Sequence, residues 1–159
     1  MSSCPGATPP SNIRQYARVG AANGQRKGVD VAWSATSPVS GRFDAVETRS
    51  DVQLLNERFA ALRALGHGYL EVRRDTDYPT VSMGFRDSVA VVEAFMSQDA
   101  MSVLVGDGSC PGAVVEVPIM DEEAAFSGPA GIDVDRAWSL VQAFLGGRDL
   151  ADLGEWMDL

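Results

Sequence analysis

A chain of 159 residues with 45% hydrophobic and 22% charged side chains has the length and composition of one globular domain, which excludes a wholly disordered protein. The net charge is −9, and residues 99–159 hold 12 acidic side chains against Arg136 and Arg148, a balance of −10. An acidic half disfavours direct binding of nucleic acid, which depends on basic side chains that neutralise phosphates, and favours a basic protein partner.

The start of the chain predicts neither secretion nor membrane insertion. Residues 1–6 contain no charged segment followed by an apolar one, and no apolar run of about 18 residues occurs in the sequence. Cys4 and Cys110 allow at most one disulfide bond, and free thiols are the expected state. We therefore expect a cytoplasmic protein that does not span a membrane.

The first residues differ in composition from the remainder. Residues 1–28 contain four basic side chains, no acidic one and no sustained apolar periodicity. This composition predicts a flexible basic arm over residues 1–28 and a single α+β domain over residues 29–159. A solvated leader is the simplest interpretation of the arm, and contact with nucleic acid or with the acidic half of the same chain is the alternative.

The predicted elements begin with alternating apolar residues at positions 29–33, which are typical of a strand. A short extended segment at residues 45–48 leads to Ser50 and Gln53, whose spacing is that of a capping box. Apolar residues then recur at helical spacing, and Gly66 follows where a left-handed C-cap is expected. The apolar residues of this first helix are Val52, Leu55, Phe59, Leu62 and Leu65.

Five strand-like segments follow, separated by turns too short to contain crossover helices. They are expected to pair as an antiparallel meander, with residues 121–126 as a further edge strand. The segments are residues 69–73, 80–85, 88–96, 101–105 and 113–117.

A second amphipathic helix completes the predicted fold. Asp133 is its expected N-cap, and Gly146 and Gly147 end it. Trp138 lies on its apolar face, so we expect this ring to be buried against the sheet. The fold class is therefore α+β, an antiparallel β-meander sheet with two helices packed on one face.

Patterns that indicate catalysis are weak. The single histidine, His67, lies between two glycines after the first helix, where a surface histidine is more common than a catalytic one. One His and two distant Cys do not form the common nitrogen and sulfur metal sites, and the glycines around Asp107 miss the spacing of a dinucleotide loop. We therefore expect no cofactor, no metal and no enzymatic activity. A small carboxylate-based enzyme of unknown reaction stays open as the alternative.

The C-terminal third combines a strand, a Pro-Ala-Gly loop, an amphipathic helix, a Gly-Arg stop and a terminal Glu-Trp pair. These features are Val114–Val117, Phe126, Pro129–Gly131, Ile132, then Ala137, Val141, Phe144 and Leu145, and finally Gly147–Arg148 and Glu155–Trp156. In this order they resemble the immunity proteins of bacterial polymorphic toxin systems, in particular immunity protein family 1, which is common in actinobacteria. The upstream order of elements is also similar, so the resemblance spans residues 29–159. The family usually has Arg-Pro after the helix, where this chain has Arg148–Asp149.

The resemblance implies a cytoplasmic antitoxin that binds and inhibits a cognate toxin, often a nucleic-acid deaminase. A secretion or folding chaperone is a further alternative. The charge asymmetry agrees with an antitoxin, because an acidic protein can occupy the basic groove of an enzyme that handles nucleic acid. The expected partner-binding residues are acids that helix capping does not explain, together with two aromatic residues: Asp107, Asp121, Glu122, Glu123, Phe126, Asp152, Glu155 and Trp156.

Overall fold

Antiparallel strands dominate the computed structural model, which describes residues 30–106 and 114–159. The strands are β1 (Val31–Thr36), β2 (Phe43–Ser50), β3 (His67–Arg73), β4 (Thr80–Arg86), β5 (Val89–Phe95), β6 (Met101–Leu104), β7 (Val114–Ile119), β8 (Glu122–Ser127), β9 (Ile132–Asp133) and β10 (Trp156–Asp158). The helices are α1 (Val52–Leu65) and α2 (Val134–Leu145), with single 3-10 turns at Gly128–Ala130 and Leu150–Asp152. The predicted arm, residues 1–28, lies outside the described residues.

The main sheet has the strand order β10-β6-β5-β4-β3-β1-β2, with the short β9 paired to the start of β5. Strands β3 to β6 form the predicted antiparallel meander. The predictions that residues 113–117 continue this meander and that residues 121–126 add an edge strand to the sheet are wrong. The described part of the first segment belongs to β7 and the second segment to β8. These two strands pair only with each other as a separate hairpin, because a tight turn with Met120 at φ 60° brings them together.

Helix α1 begins one residue later than its capping pattern predicts. Ser50 is still extended and paired with Val31, so Asp51 is the N-cap and its Oδ1 accepts the N–H of Leu54 at 3.2 Å. The helix ends as predicted at Gly66, whose φ of 93° is a left-handed conformation that glycine adopts without strain.

Helix α2 follows its sequence signals closely. Asp133 caps it, because its Oδ2 accepts the N–H groups of Asp135 at 3.0 Å and Arg136 at 3.1 Å. Trp138 is half-buried and stacks on Phe59 of α1, with ring centroids 4.1 Å apart and an interplanar angle of 7°. The ring therefore joins the two helices at the edge of the core instead of lying fully buried against the sheet.

Alternation along the strands produces two separate cores. Both helices pack on one face of the main sheet, against residues such as Leu70, Met83 and Val92, as predicted for this α+β fold. On the opposite face the hairpin β7–β8 packs Val117 against Val91 and its neighbours. No helix among residues 30–106 and 114–159 is both long and apolar enough to cross a membrane.

Candidate functional site

The sheet face opposite the helices carries a row of polar side chains, here named the polar row, formed by Ser34, Glu71, Ser82 and Glu93. These residues lie directly opposite one another on four neighbouring strands, β1, β3, β4 and β5. Directly paired residues project from the same face of a sheet. The row is thus an interruption in a face that is otherwise apolar around Val91 and Val103.

Two members of the polar row are carboxylates held in unusual surroundings. Glu93 is only 5% exposed, and its Oε1 accepts a long hydrogen bond of 3.4 Å from the Ser82 hydroxyl. Burial raises the pKa of Glu93, and the neighbouring charge of Glu71 raises it further. Ser82 lies between the two acids in the register, which keeps these like charges two strand steps apart, about 10 Å between their backbones.

Tyr69 marks the border between the covered and uncovered parts of this face. Its ring is buried beneath Phe43, in an edge-to-face contact with centroids 5.3 Å apart. Its hydroxyl donates a hydrogen bond of 2.7 Å to Oε2 of Glu71. Burial, and then the charge of Glu71, raise the pKa of the Tyr69 hydroxyl, so it remains a donor that orients this carboxylate.

Beyond Tyr69 the face is not covered by the hairpin, and it contains a cavity of about 190 Å³, here named the β1–β3 cavity. Ala32, Ser34 and Glu71 are among its lining residues, together with Asp77 and Tyr78 from the loop that connects β3 to β4. Glu71 has no cationic partner among the described residues. The β1–β3 cavity therefore contains a carboxylate that forms no ion pair with any base of the described residues.

The wall of the cavity is an ion pair that spans one strand. Arg73 of β3 donates two hydrogen bonds of 2.8 Å to the carboxylate of Glu47 on β2, across the intervening strand β1. The bonds from Arg73 lower the pKa of Glu47, and Asp77 lies 3.6 Å from the same guanidinium. Because Arg73 is already engaged, the lining acids Glu47, Glu71 and Asp77 leave the cavity with a net charge of −2.

The first group of sequence-predicted binding residues lies at the tip of the hairpin. Asp121 accepts the N–H of Phe43 at 2.7 Å and lies 3.8 Å from the guanidinium of Arg42, and Glu123 pairs with Arg86. Phe126 is half-buried against the hairpin core, whereas Glu122 is exposed. Two of these three acids therefore fasten the hairpin to the main sheet.

The second group lies at the opposite edge of the main sheet. Trp156 is half-buried against the main core, and its Nε1 donates a hydrogen bond of 2.9 Å to the carbonyl of Leu150. Asp152 and Glu155 are exposed beside it. The strand order places β10 six steps from β2, about 29 Å along the sheet, so the two predicted groups do not form one site. Asp107, the remaining predicted residue, lies outside the described residues.

The polar row was not found from the sequence, although one signal was present. Glu93 is a single carboxylate within the otherwise apolar segment that forms β5. A charged residue in an apolar strand is costly to bury, so such a position indicates either a functional side chain or an unusual partner. Nothing local connects it with Glu71, because their proximity depends on the register of three strands.

Comparisons with known proteins identify no family for this chain. No family model matches it, and a search of curated proteins finds no significant match.

Proposed function

We propose that this protein is an immunity protein that binds and inhibits a cognate toxin with a basic surface, such as a nucleic-acid deaminase. The observation that carries the proposal is the distribution of charge. The chain has a net charge of −9, and the sheet face left uncovered by the hairpin has a net negative cavity. A protein surface of this kind fits the basic groove of an enzyme that handles nucleic acid.

Inhibition would follow from occupation of the groove. Enzymes that bind nucleic acid depend on basic side chains facing the phosphates, and an acidic protein competes for those same side chains. Electrostatic attraction also accelerates the encounter, and this acceleration weakens as salt screens the charges. Tight inhibition that weakens at high salt is therefore the expected behaviour, and catalysis by the inhibitor is not required.

The proposal is tested with the gene directly upstream, because an immunity protein is expected beside its toxin. Expression of that upstream product alone should arrest growth of a bacterial host, and co-expression of this chain should restore growth. The purified pair should form a complex whose association rate falls at least about tenfold between low and high salt. If neither adjacent gene encodes a toxic product that this chain binds, the proposed function is wrong.

A second candidate function is acid-assisted hydrolysis, and the raised pKa of Glu93 favours it. A carboxyl group whose pKa is raised by burial holds its proton more strongly and can act as a general acid beside a second carboxylate, and Glu71 lies on the same face. Incubation with a panel of chromogenic glycosides tests this candidate, because any hydrolysis should disappear in Glu93→Gln and persist in a surface variant such as Glu57→Gln. Absence of hydrolysis by the parent chain across the panel would remove it.

A further inference from the structure

The β1–β3 cavity is too small for an ordinary small-molecule ligand. Pockets that bind cofactors and drug-sized molecules occupy about 300 to 1,000 Å³, whereas this cavity measures about 190 Å³. A single protruding side chain is an occupant that such a space can hold. The size of the cavity therefore favours insertion of one residue from a protein partner.

The charges of the cavity determine which side chain fits. Arg73, the base among its described lining residues, is neutralised by Glu47 and Asp77. Glu71 receives one hydrogen bond from the neutral hydroxyl of Tyr69, and no base among the described residues reaches it. A carboxylate in such partly buried surroundings binds a cation more strongly than an exposed carboxylate does.

The rim of the cavity adds an aromatic surface. The side chain of Tyr78 is 41% exposed beside the cavity it lines, so one part of the ring is open to a partner. A planar guanidinium can stack on an aromatic ring while it donates two hydrogen bonds to a carboxylate, which an ammonium group cannot do. The combination of Glu71 and Tyr78 thus favours arginine over lysine.

We infer that the β1–β3 cavity binds an arginine side chain of the partner protein, with Glu71 as its carboxylate acceptor and Tyr78 as its stacking surface. This inference rests on the proposed function for the identity of the partner, but the cavity itself can be tested without it. An arginine inserted at the centre of an interface and paired with a buried carboxylate has the features of a binding hot spot. The contact would anchor the toxin on the uncovered part of the sheet face.

The first experiment uses a small probe, N-acetyl-L-arginine amide, and the uncharged citrulline analogue as its control. Titration into the isotope-labelled full chain should shift the backbone amide signals of Ser34, Glu71 and Tyr78 with saturation at millimolar concentration, and the citrulline analogue should not. Glu71→Gln keeps the size of the side chain and should abolish the shifts. Glu57→Gln, which makes the same change at an exposed position on α1, should leave them unaltered.

The second experiment measures binding of the toxin encoded upstream. Glu71→Gln should weaken the complex by at least about 30-fold, because the partner arginine would be left buried without its acceptor. Tyr78→Ala changes an exposed residue without disturbing the core, and it should weaken the complex about two- to fivefold. Glu57→Gln should change the affinity less than about twofold.

The outcomes separate the two proposals. If the probe gives saturable shifts that Glu71→Gln abolishes but no adjacent toxin binds the chain, the cavity binds arginine and the proposed function is wrong. If the toxin binds the parent chain and Glu71→Gln equally well, or the probe shifts survive this substitution, the inference about the cavity is wrong. If the probe shifts appear only in a full-length variant that carries both Arg26→Ala and Lys27→Ala, basic residues of the chain itself compete for the cavity. This outcome would also contradict the inference that an arginine of a partner binds there.

Discussion

Substitution of one buried glycine tests whether the hairpin β7–β8 depends on close backbone contact with the main sheet. Gly84 lies on β4, between Tyr69 and Val91 in the register, directly beneath the hairpin. A Cβ at this position would lie 2.2 Å from the carbonyl oxygen of Pro118 and 3.3 Å from Cδ1 of Ile119. Because a carbon and a carbonyl oxygen make contact at about 3.3 Å, Gly84→Ala must displace the hairpin by about 1 Å.

The stability lost in Gly84→Ala follows from what the displacement exposes. Val117 of the hairpin is fully buried against the main sheet, and complete loss of such a contact costs about 1.5 to 3 kcal/mol. A partial separation combined with overpacking should lower the free energy of unfolding by about 2 kcal/mol, which corresponds to a fall in Tm of about 4 to 8 °C. Urea denaturation followed by circular dichroism measures the first quantity. Hydrogen exchange should show faster exchange at the Val117 amide while the amides of α2 keep their protection.

The matched control is Gly146→Ala, which adds the same methyl group where space exists. Gly146 has φ −83°, and its nearest atoms would lie 3.5 Å and 3.6 Å from the new Cβ. This variant should change the free energy of unfolding by less than about 0.5 kcal/mol. Equal stabilities of Gly84→Ala and Gly146→Ala would refute the close approach of the hairpin to β4.

Three further variants test the core, the buried acid and the hairpin tip. Trp138→Ala should lower the free energy of unfolding by about 2 kcal/mol in urea denaturation, because it removes a half-buried ring and its stacking contact. An unchanged free energy of unfolding would place the ring outside the core. Burial raises the pKa of Glu93 above 4.5, so the folded state loses stability as pH rises through the raised pKa. Glu93→Gln should therefore be more stable than the parent at about pH 8, with a difference that disappears below about pH 4 in thermal melts, and a constant difference would contradict this. Simultaneous replacement of Asp121, Glu122 and Glu123 by Ala should slow association with the toxin and flatten its salt dependence in stopped-flow measurements, while an unchanged rate would exclude this tip from the interface.

Local signals predicted those parts of the fold that local interactions determine. The meander strands follow from alternation and short turns, and α2 follows from Asp133 as its cap and the glycines at its end. The start of α1 was displaced by one residue because Ser50 is held in β2 by pairing with Val31. That pairing joins residues far apart in the sequence, whereas a capping pattern depends only on residues within a few positions of each other.

The position of the hairpin could not be predicted from the same signals. Alternating apolar residues in β7 fit an edge strand of the main sheet and a separate layer equally well, because both bury one face. The separate layer depends on two features. Gly84 has no Cβ that would meet the hairpin, and the N–H of Phe43 in the main sheet donates a hydrogen bond to Asp121 in the hairpin. The polar row could not be predicted from the sequence for a related reason, since Glu71, Ser82 and Glu93 come together only through the register of three strands.

Charge counted along the sequence also differs from charge available at the surface. The acidic half of the chain uses Asp121 and Glu123 to hold its hairpin, whereas residues 1–98, with a balance of +1, contribute the carboxylate of Glu71, which forms no ion pair with a described base. Charges at the rim of an interface mainly change the association rate, and a buried acceptor that pairs with a partner cation mainly changes the dissociation rate. Kinetics with one toxin can therefore assign each carboxylate its role. Slower association after loss of the hairpin acids and faster dissociation in Glu71→Gln would place the tip at the rim and the β1–β3 cavity at the centre of the same interface.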